Sequence, residues 1–203
     1  MKILALSDHV VEIIYSRNIV QNFPDVDLIV GCGDVPSEYL EFVVSMLNVP
    51  MIFVPGNHDI DKFHVPGGVS VDGKLVTLDG LRIMGLGGSQ RYKPQGKHQY
   101  TEAEMRIRVW RLLLTNFRKS LFNRKRIDLF ISHASPRGVH DADDLAHTGF
   151  ASFHTLLIHA KPKLMLHGHC HTMRNLECTE TVLYKTKIIN VYPYRIIDLD
   201  VDT

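Results

Sequence analysis

Seven side chains that carry oxygen or nitrogen lone pairs stand in short polar segments spread along the chain. They are two aspartates, one asparagine and four histidines, namely Asp8, Asp34, Asn57, His58, His133, His169 and His171. Carboxylate, amide oxygen and imidazole form a hard-to-borderline ligand set, which suits Mn²⁺, Fe, Co²⁺, Ni²⁺ or Zn²⁺ better than Ca²⁺. One carboxylate can bridge two such ions about 3.5–4 Å apart, so that they generate a hydroxide nucleophile and bind a phosphoryl oxygen. That chemistry needs a central aspartate surrounded by neutral imidazoles.

The elements that would position these side chains are strands that end just before each polar segment. Apolar runs bounded by turn residues predict strands at 2–6, 28–30 and 51–54, and helical patterns at 12–23 and 38–47 lie between them. This βαβαβ order predicts a parallel sheet with right-handed crossovers. Open α/β sheets place their ligands at the carboxyl ends of the strands. Polar loops after three successive strands are therefore a stronger functional signal than any one of them alone.

The sequence after residue 73 predicts more strands and two more helices. Asp79-Gly80 is typical of a type I′ hairpin turn and joins two of the strands. The longest helix, 102–122, begins after Thr101, with Glu104 at the capping-box position; another helix is expected at 150–160. The remaining predicted strands are 74–78, 81–86, 127–132, 164–166, 181–184, 187–191 and 194–199.

The expected fold is one domain over residues 1–203, because no repeat, low-complexity tract or linker interrupts the chain. Its class is α/β (α+β), with two mixed β-sheets packed face to face as a sandwich and helices on the outside. Helix 102–122 is expected to face the core with an apolar stripe of Ile107, Trp110, Leu113, Leu114, Phe117 and Leu121.

Four short motifs occur in a fixed order, each after a predicted strand. They are Gly33-Asp34, Gly56-Asn57-His58-Asp59, Ser132-His133 and Gly168-His169-Cys170-His171. This series, which with Asp8 spans residues 8–171, resembles the calcineurin-like metallophosphoesterases. The resemblance implies a β-sandwich flanked by helices, and metal-dependent hydrolysis of a phosphomonoester or phosphodiester by a metal-bound hydroxide at a dinuclear site. The substrate is expected to be a small-molecule phosphoester.

The same resemblance implies a role for each motif residue. Asp34 would bridge both metal ions. Asp8 and His171 would bind one ion, and the ligands of the other would be Asn57, His133 and His169. His58 would face the scissile phosphate as electrophile or general acid, with Asp59 as its orienting partner.

The segment Asp8-His9-Val10, which precedes the four motifs, departs from the family pattern, which is DxH with both residues on one metal. The position of that histidine is occupied by Val10, and His9 is one residue out of step. A shift of one residue in an extended chain turns the side chain to the opposite side. In addition, Ser37 stands where some members carry a further Asp. The metal site of Asp8 and His171 is therefore expected to be the weaker one.

Two other functions stay open at this point. A catalytically weak protein of this fold would serve as a protein-interaction scaffold, which Val10 favours and the retained histidines oppose. A metal-dependent nuclease would need the site to border the basic face of helix 102–122, which carries Arg108, Arg111, Arg118 and Lys119. Nucleic acid is the less favoured partner, because Trp110 is expected to be buried and so is not placed to stack on bases.

The polar stretch 140–147 also has two interpretations. It is either a solvated loop or a lid beside His133 that brings His140 or His147 to the site.

Composition excludes several classes of protein. Lys plus Arg (23) nearly balance Asp plus Glu (22), so no polyelectrolyte partner is implied by the net charge, although residues 1–60 are acidic and 91–126 basic. The three cysteines show no disulfide framework. No apolar run approaches the roughly 18 residues of a membrane span. A cytoplasmic protein without a membrane partner is expected.

Overall fold

Two mixed β-sheets pack face to face in the computed structural model, which describes residues 1–60, 63–120, 126–171 and 178–200. The first sheet has the order β13-β1-β2-β3-β4. Its strands are β1 (Lys2–Leu6), β2 (Leu28–Gly31), β3 (Met51–Phe53), β4 (Gly68–Ser70) and β13 (Tyr194–Asp198). β1 to β4 run parallel and β13 pairs antiparallel with β1. The predicted parallel βαβαβ opening is confirmed.

The second sheet has six strands in the order β11-β12-β10-β9-β6-β5. These are β5 (Leu75–Leu78), β6 (Leu81–Leu86), β9 (Leu129–Ser132), β10 (Leu164–His167), β11 (Glu180–Leu183) and β12 (Thr186–Asn190). The four central strands are parallel, and β5 and β11 pair antiparallel at the edges. A short parallel pair, β7 (Ser89–Gln90) and β8 (Gln99–Tyr100), stands apart. The sequence pattern did not predict β4, β7 or β8, since none of these short strands is an apolar run.

Three apolar clusters hold these layers together. Alternation along β1 puts Ile3 and Ala5 into the cluster between the sheets, while Leu4 and Leu6 face outward. The outer face of the first sheet packs on α1 (Ile19–Asn22) and α2 (Ser37–Leu47). The outer face of the second sheet packs on α3 (Glu102–Ser120) and α4 (Ser152–Ala160). The predicted sandwich with outer helices is confirmed.

The first predicted helix is shorter than expected, because only Ile19–Asn22 of the span 12–23 is α-helical. Residues before it form turns, and the hydroxyl of Ser16 accepts the backbone N–H of Asn18. Ser and Asn side chains offer the backbone such local hydrogen bonds in place of a helical ladder. An apolar period is present in this segment, but local polar groups interrupt the helix.

The apolar stripe predicted for α3 is wrong for four of its residues, although Leu113 is buried as expected. The helix buries Met105, Val109, Leu112 and Leu113, whereas Ile107, Trp110, Leu114 and Phe117 are exposed. Leu121 lies outside the described residues. The sequence carries two apolar faces, and periodicity alone does not choose between them. Arg108 determines which face of α3 is buried, since its guanidinium binds Asp72 (2.5 Å) and the Gly87 carbonyl (3.0 Å) under the helix.

The capping box predicted at the start of α3 is present. Thr101 Oγ1 accepts the Glu104 N–H at 3.3 Å, and Glu104 Oε2 accepts the Thr101 N–H at 2.7 Å.

None of the described helices is long and apolar enough to cross a membrane.

Candidate metal centre

Loops that follow five strands of the two sheets bring the predicted polar residues together. Four donor atoms, one each from Asp8, Asp34, His133 and His169, lie within 4.8 Å of one another. These residues follow β1, β2, β9 and β10, so both sheets contribute to the group. Two carboxylates and two imidazoles at this spacing match the ligand types of a transition-metal site.

His133 shows most directly that the cluster fits a cation. Its Nδ1 donates to the Cys32 carbonyl at 2.8 Å, so Nε2 is the nitrogen that faces the cluster. That nitrogen lies 2.9 Å from Asn57 Oδ1 and 3.2 Å from Asp34 Oδ2. With a neutral imidazole, three lone pairs would point at one place in a buried region, and a cation satisfies all of them.

Asn57 is oriented by a residue that sequence reasoning missed. Its amide nitrogen donates to the Tyr92 hydroxyl at 3.1 Å, so the amide oxygen is the atom that faces His133. Tyr92 lies between β7 and β8, outside all four motifs. No sequence signal marks it.

The carboxylate of Asp34 contacts both the backbone and an imidazole of the cluster. Oδ1 accepts the His58 backbone N–H at 2.7 Å, and Oδ2 faces His133. Burial alone would raise the pKa of this carboxyl, but the charge and hydrogen bond of His133 outweigh it and hold the pKa below its usual value. Asp34 is therefore an anion with one oxygen committed to the backbone and the other directed at the imidazoles.

Asp8 is held in the same anionic form. Its Oδ2 accepts the His169 backbone N–H at 2.8 Å and the Ser7 hydroxyl, while Oδ1 lies 3.6 Å from His171 Nε2. Burial raises the pKa of Asp8, but hydrogen bonds from His171, Ser7 and His169, together with the charge of His133, lower it to about 2. Both aspartates thus offer negative charge to a cation.

His169 is a neutral imidazole that can offer one lone pair to a metal ion. Its Nε2 donates to the Ala146 carbonyl at 2.7 Å, which leaves the lone pair on Nδ1. Burial and the nearby charge of His133 lower its pKa to about 4. The His133 and His169 rings are 4.6 Å apart between centroids.

Three of the four clustered residues have a left-handed backbone. The φ angles are 61° at Asp8, 56° at Asp34 and 68° at His169. Such angles are uncommon outside glycine, and strained positions of this kind concentrate at functional sites. The loops therefore hold these side chains in place at some conformational cost.

Two motif glycines are required by close packing against the carboxylates. A Cβ on Gly56 would overlap Asp34 Oδ1, and a Cβ on Gly168 would overlap Ser7 Oγ and Asp8 Oδ2. The glycines of the second and fourth motifs thus allow the loops to approach the aspartates.

His58 and Asp59 differ in what they contact. The His58 side chain is exposed, lies outside the four-donor group and lines the cavity in front of it. Asp59 Oδ2 accepts the backbone N–H groups of Gly56 (2.7 Å) and Asp34 (3.1 Å). Burial raises the pKa of Asp59. The contacts of Asp59 therefore join the loops after β2 and β3, whereas the sequence predicted that it orients His58.

A third imidazole, that of His171, lies beside Asp8 in addition to those of His133 and His169. His171 stacks on Tyr192 (4.4 Å, 12° between planes), is 57% exposed and lies outside the four-donor group. The hydrogen bond to Asp8 raises the pKa of His171. Val10 packs against the apolar cluster beneath α1 and α2, and His9 is exposed.

The stretch 140–147 contributes one histidine to the site. His147 lies 4.9 Å from His169 between ring centroids and is held by Asp144 at 2.9 Å. His140 instead contacts His167 (3.1 Å) and Thr181 (2.8 Å). Of the two interpretations, the geometry favours a loop that brings His147 to the site.

Two cavities open beside the cluster. The first, about 310 Å³, is lined by Asp8, Asp34, His58, His147, His169 and His171. The second, about 530 Å³, shares His147 and His171 with it and extends to Cys170 and Cys178. A phosphoryl group in the first cavity would therefore have room for an attached group in the second.

Comparison with known proteins agrees with this geometry. The family model for calcineurin-like phosphoesterases matches residues 1–173. The uncharacterized protein MJ1162 of Methanocaldococcus jannaschii is 26% identical over 175 residues, which covers 78% of this chain and 76% of that protein. Two solved structures share the fold. One has a TM-score of 0.64 at 16% identity, covering 94% of this chain and 90% of its own. TT1561 of Thermus thermophilus has a TM-score of 0.61 at 17% identity, covering 94% and 88%.

Proposed function

The chain belongs to the calcineurin-like phosphoesterase family, and from this premise we propose that it hydrolyses a phosphomonoester or phosphodiester with two divalent transition-metal ions. The observation that carries the proposal is the convergence of Asp8, Asp34, His133 and His169 within 4.8 Å. Mn, Fe, Co, Ni and Zn all suit this donor set.

The residues divide into two unequal sites. Asp34, Asn57, His133 and His169 would hold one ion, since three of them already meet at His133 Nε2. Asp8 and His171 would hold the second ion, with Asp34 between the two. We expect the second site to be weaker, because Val10 supplies no imidazole and His171 is half exposed. Bound ions would supply positive charge beside the phosphoryl oxygens and lower the pKa of a water molecule.

The remaining residues act on the substrate. His58 lines the cavity without joining the donor group, so its imidazole is free to donate a hydrogen bond to a phosphoryl or leaving-group oxygen. His147 borders both cavities and would contact the attached group. The adjoining cavity supports a small-molecule ester with a substantial leaving group.

The rival functions have less support. A scaffold has no need of buried aspartates held ionised around two imidazoles. A nuclease would need the site to border the basic face of α3, but the described residues that line the two cavities beside the cluster include none of α3.

Activity assays after metal removal test the proposal. Chelated protein should lose hydrolysis of bis(p-nitrophenyl) phosphate and p-nitrophenyl phosphate, and Mn²⁺ or Co²⁺ should restore it. The ratio of the two rates separates a diesterase from a monoesterase. Asp34→Asn is the control, because it removes the central charge at nearly constant shape. A chain that turns over neither ester with any metal of the series would support the scaffold function.

A further inference from the structure

One face of α3 leaves large apolar side chains in solvent. Ile107, Trp110, Leu114 and Phe117 are 53%, 52%, 50% and 60% exposed. Their spacing of three, four and three residues puts them on one side of the helix. Together they present on the order of 400 Å² of apolar surface, a size at which the largest apolar patch of a protein is often functional. We call this surface the α3 stripe.

The α3 stripe borders a concave groove. A cavity of about 410 Å³ lies between α3 and α4, and its lining includes Trp110, Leu113, Phe117 and His159. The Trp110 ring lies 5.9 Å from the His159 ring on α4. A groove of this shape accepts side chains from a facing helix.

Positive charge flanks the α3 stripe. Arg106, Arg111 and Arg118 are exposed, and none of them makes an ion pair within the part of the chain that the structure describes. The two acidic residues of α3 are engaged elsewhere. Glu102 accepts the N–H groups of Ala151 and Ser152 at the start of α4, and Glu104 binds Thr101 and Arg91. The stripe is therefore apolar at its centre and basic at its borders.

We propose that the α3 stripe docks an amphipathic helix of another protein, whose apolar face is bordered by aspartates and glutamates. Apolar residues of that helix would fill the groove, and its acidic borders would face Arg106, Arg111 and Arg118. A second copy of this chain fits less well, because it would bring arginines against arginines.

Trp110 is the single tryptophan of the chain, so its fluorescence reports the occupancy of the groove. The probe is a synthetic helical peptide without tryptophan, with leucines along one face and glutamates on both borders. Its control is the same peptide with lysine at every glutamate. The glutamate peptide should shift Trp110 emission to shorter wavelength, saturably, and bind at least about tenfold more tightly than the lysine peptide.

Variants test whether the shift in Trp110 emission comes from binding at the α3 stripe. Leu114→Asp should abolish the shift, while Val182→Asp, which changes an even more exposed residue on β11, should leave it intact. The double change Arg111→Glu with Arg118→Glu should reverse the peptide preference. Equal binding of both peptides, or no shift with either, overturns the proposal. So does self-association in sedimentation that Leu114→Asp removes, or a shift caused by vesicles of anionic phospholipid alone.

Discussion

His133 and His169 are buried side by side, yet they hold protons very differently. Burial by itself lowers the pKa of His133, but the carboxylates of Asp34 and Asp8 raise it to about 9. His169 donates to a carbonyl and has a pKa of about 4. At neutral pH, His133 is therefore the protonated member of this pair in the metal-free site, and its Nε2 is the atom that faces Asn57 and Asp34.

This difference predicts how metal binding depends on pH. A cation must displace the proton of His133, whereas His169 is already neutral. Metal affinity should rise about tenfold per pH unit between pH 7 and pH 9 and level off above it, with about one proton released per ion. Calorimetry in buffers of different ionisation enthalpy measures that proton. Affinity independent of pH over this interval would show that His133 is not the competing group.

Replacing His58 should affect kcat, whereas replacing the clustered histidines should affect metal content. His58→Ala should lower kcat by about 10²–10⁴-fold while metal content stays nearly constant, because the imidazole lies outside the donor group. His133→Ala and His169→Ala should lose metal directly. Metal analysis beside kinetics distinguishes them. If His58→Ala strips metal as thoroughly as His169→Ala, the role given to His58 is wrong.

Tyr92 should act on the metal through Asn57. Tyr92→Phe removes the acceptor of the Asn57 amide nitrogen, so the amide oxygen is no longer held toward His133. Metal affinity should fall by about tenfold or more, as is usual when a group that orients a ligand is lost. The matched control is Tyr184→Phe, which loses a hydroxyl contact with His154, a residue outside the donor group. Equal metal affinity in both variants would assign Tyr92 no part in the site.

At the scale of elements, the position of α3 depends on a polar contact. Arg108 binds Asp72 and the Gly87 carbonyl, and its guanidinium lies 4.1 Å from the centre of the Tyr100 ring. Arg108→Ala would leave a largely buried carboxylate without its partner, at a cost of about 2–4 kcal/mol in the free energy of unfolding. Arg111→Ala, on the exposed side of the same helix, should cost about 0.5 kcal/mol or less. Denaturant unfolding compares the two. Similar losses would mean that α3 docks through its apolar residues alone.

The same contact explains why sequence reasoning located α3 but misjudged its orientation. Its start was predictable from the Thr101–Glu104 capping box, which is local. Its buried face depends on Asp72 and Gly87, which are far away in sequence. Local information sufficed for most strands, since each is an apolar run between turn residues, but not for the two-residue strands β7 and β8.

At the scale of the whole molecule, the sandwich and the convergence of the site have one origin. Parallel strands present their carboxyl ends on the same side, so polar residues placed after strands of both sheets meet there. The grouping of Asp8, Asp34, His133 and His169 was therefore predictable from motif order. The part supplied by Tyr92 was not predictable, because Tyr92 comes from a connection whose path is set by tertiary packing. For the stretch 140–147, the sequence left open whether His140 or His147 reaches the site, and the structure places His147 there.

Turnover measured against bound metal tests the account most directly. Metal-free protein is titrated stepwise with Mn²⁺, and bound metal and bis(p-nitrophenyl) phosphate hydrolysis are measured on the same samples. The account predicts no hydrolysis without metal and a rate that increases with bound ion. In Asp34→Asn, both metal binding and rate should be lost together, because this carboxylate belongs to the donor group and contacts His133. Hydrolysis by the metal-free chain, or an unchanged rate in Asp34→Asn, would contradict a metal-dependent phosphoesterase centred on Asp34.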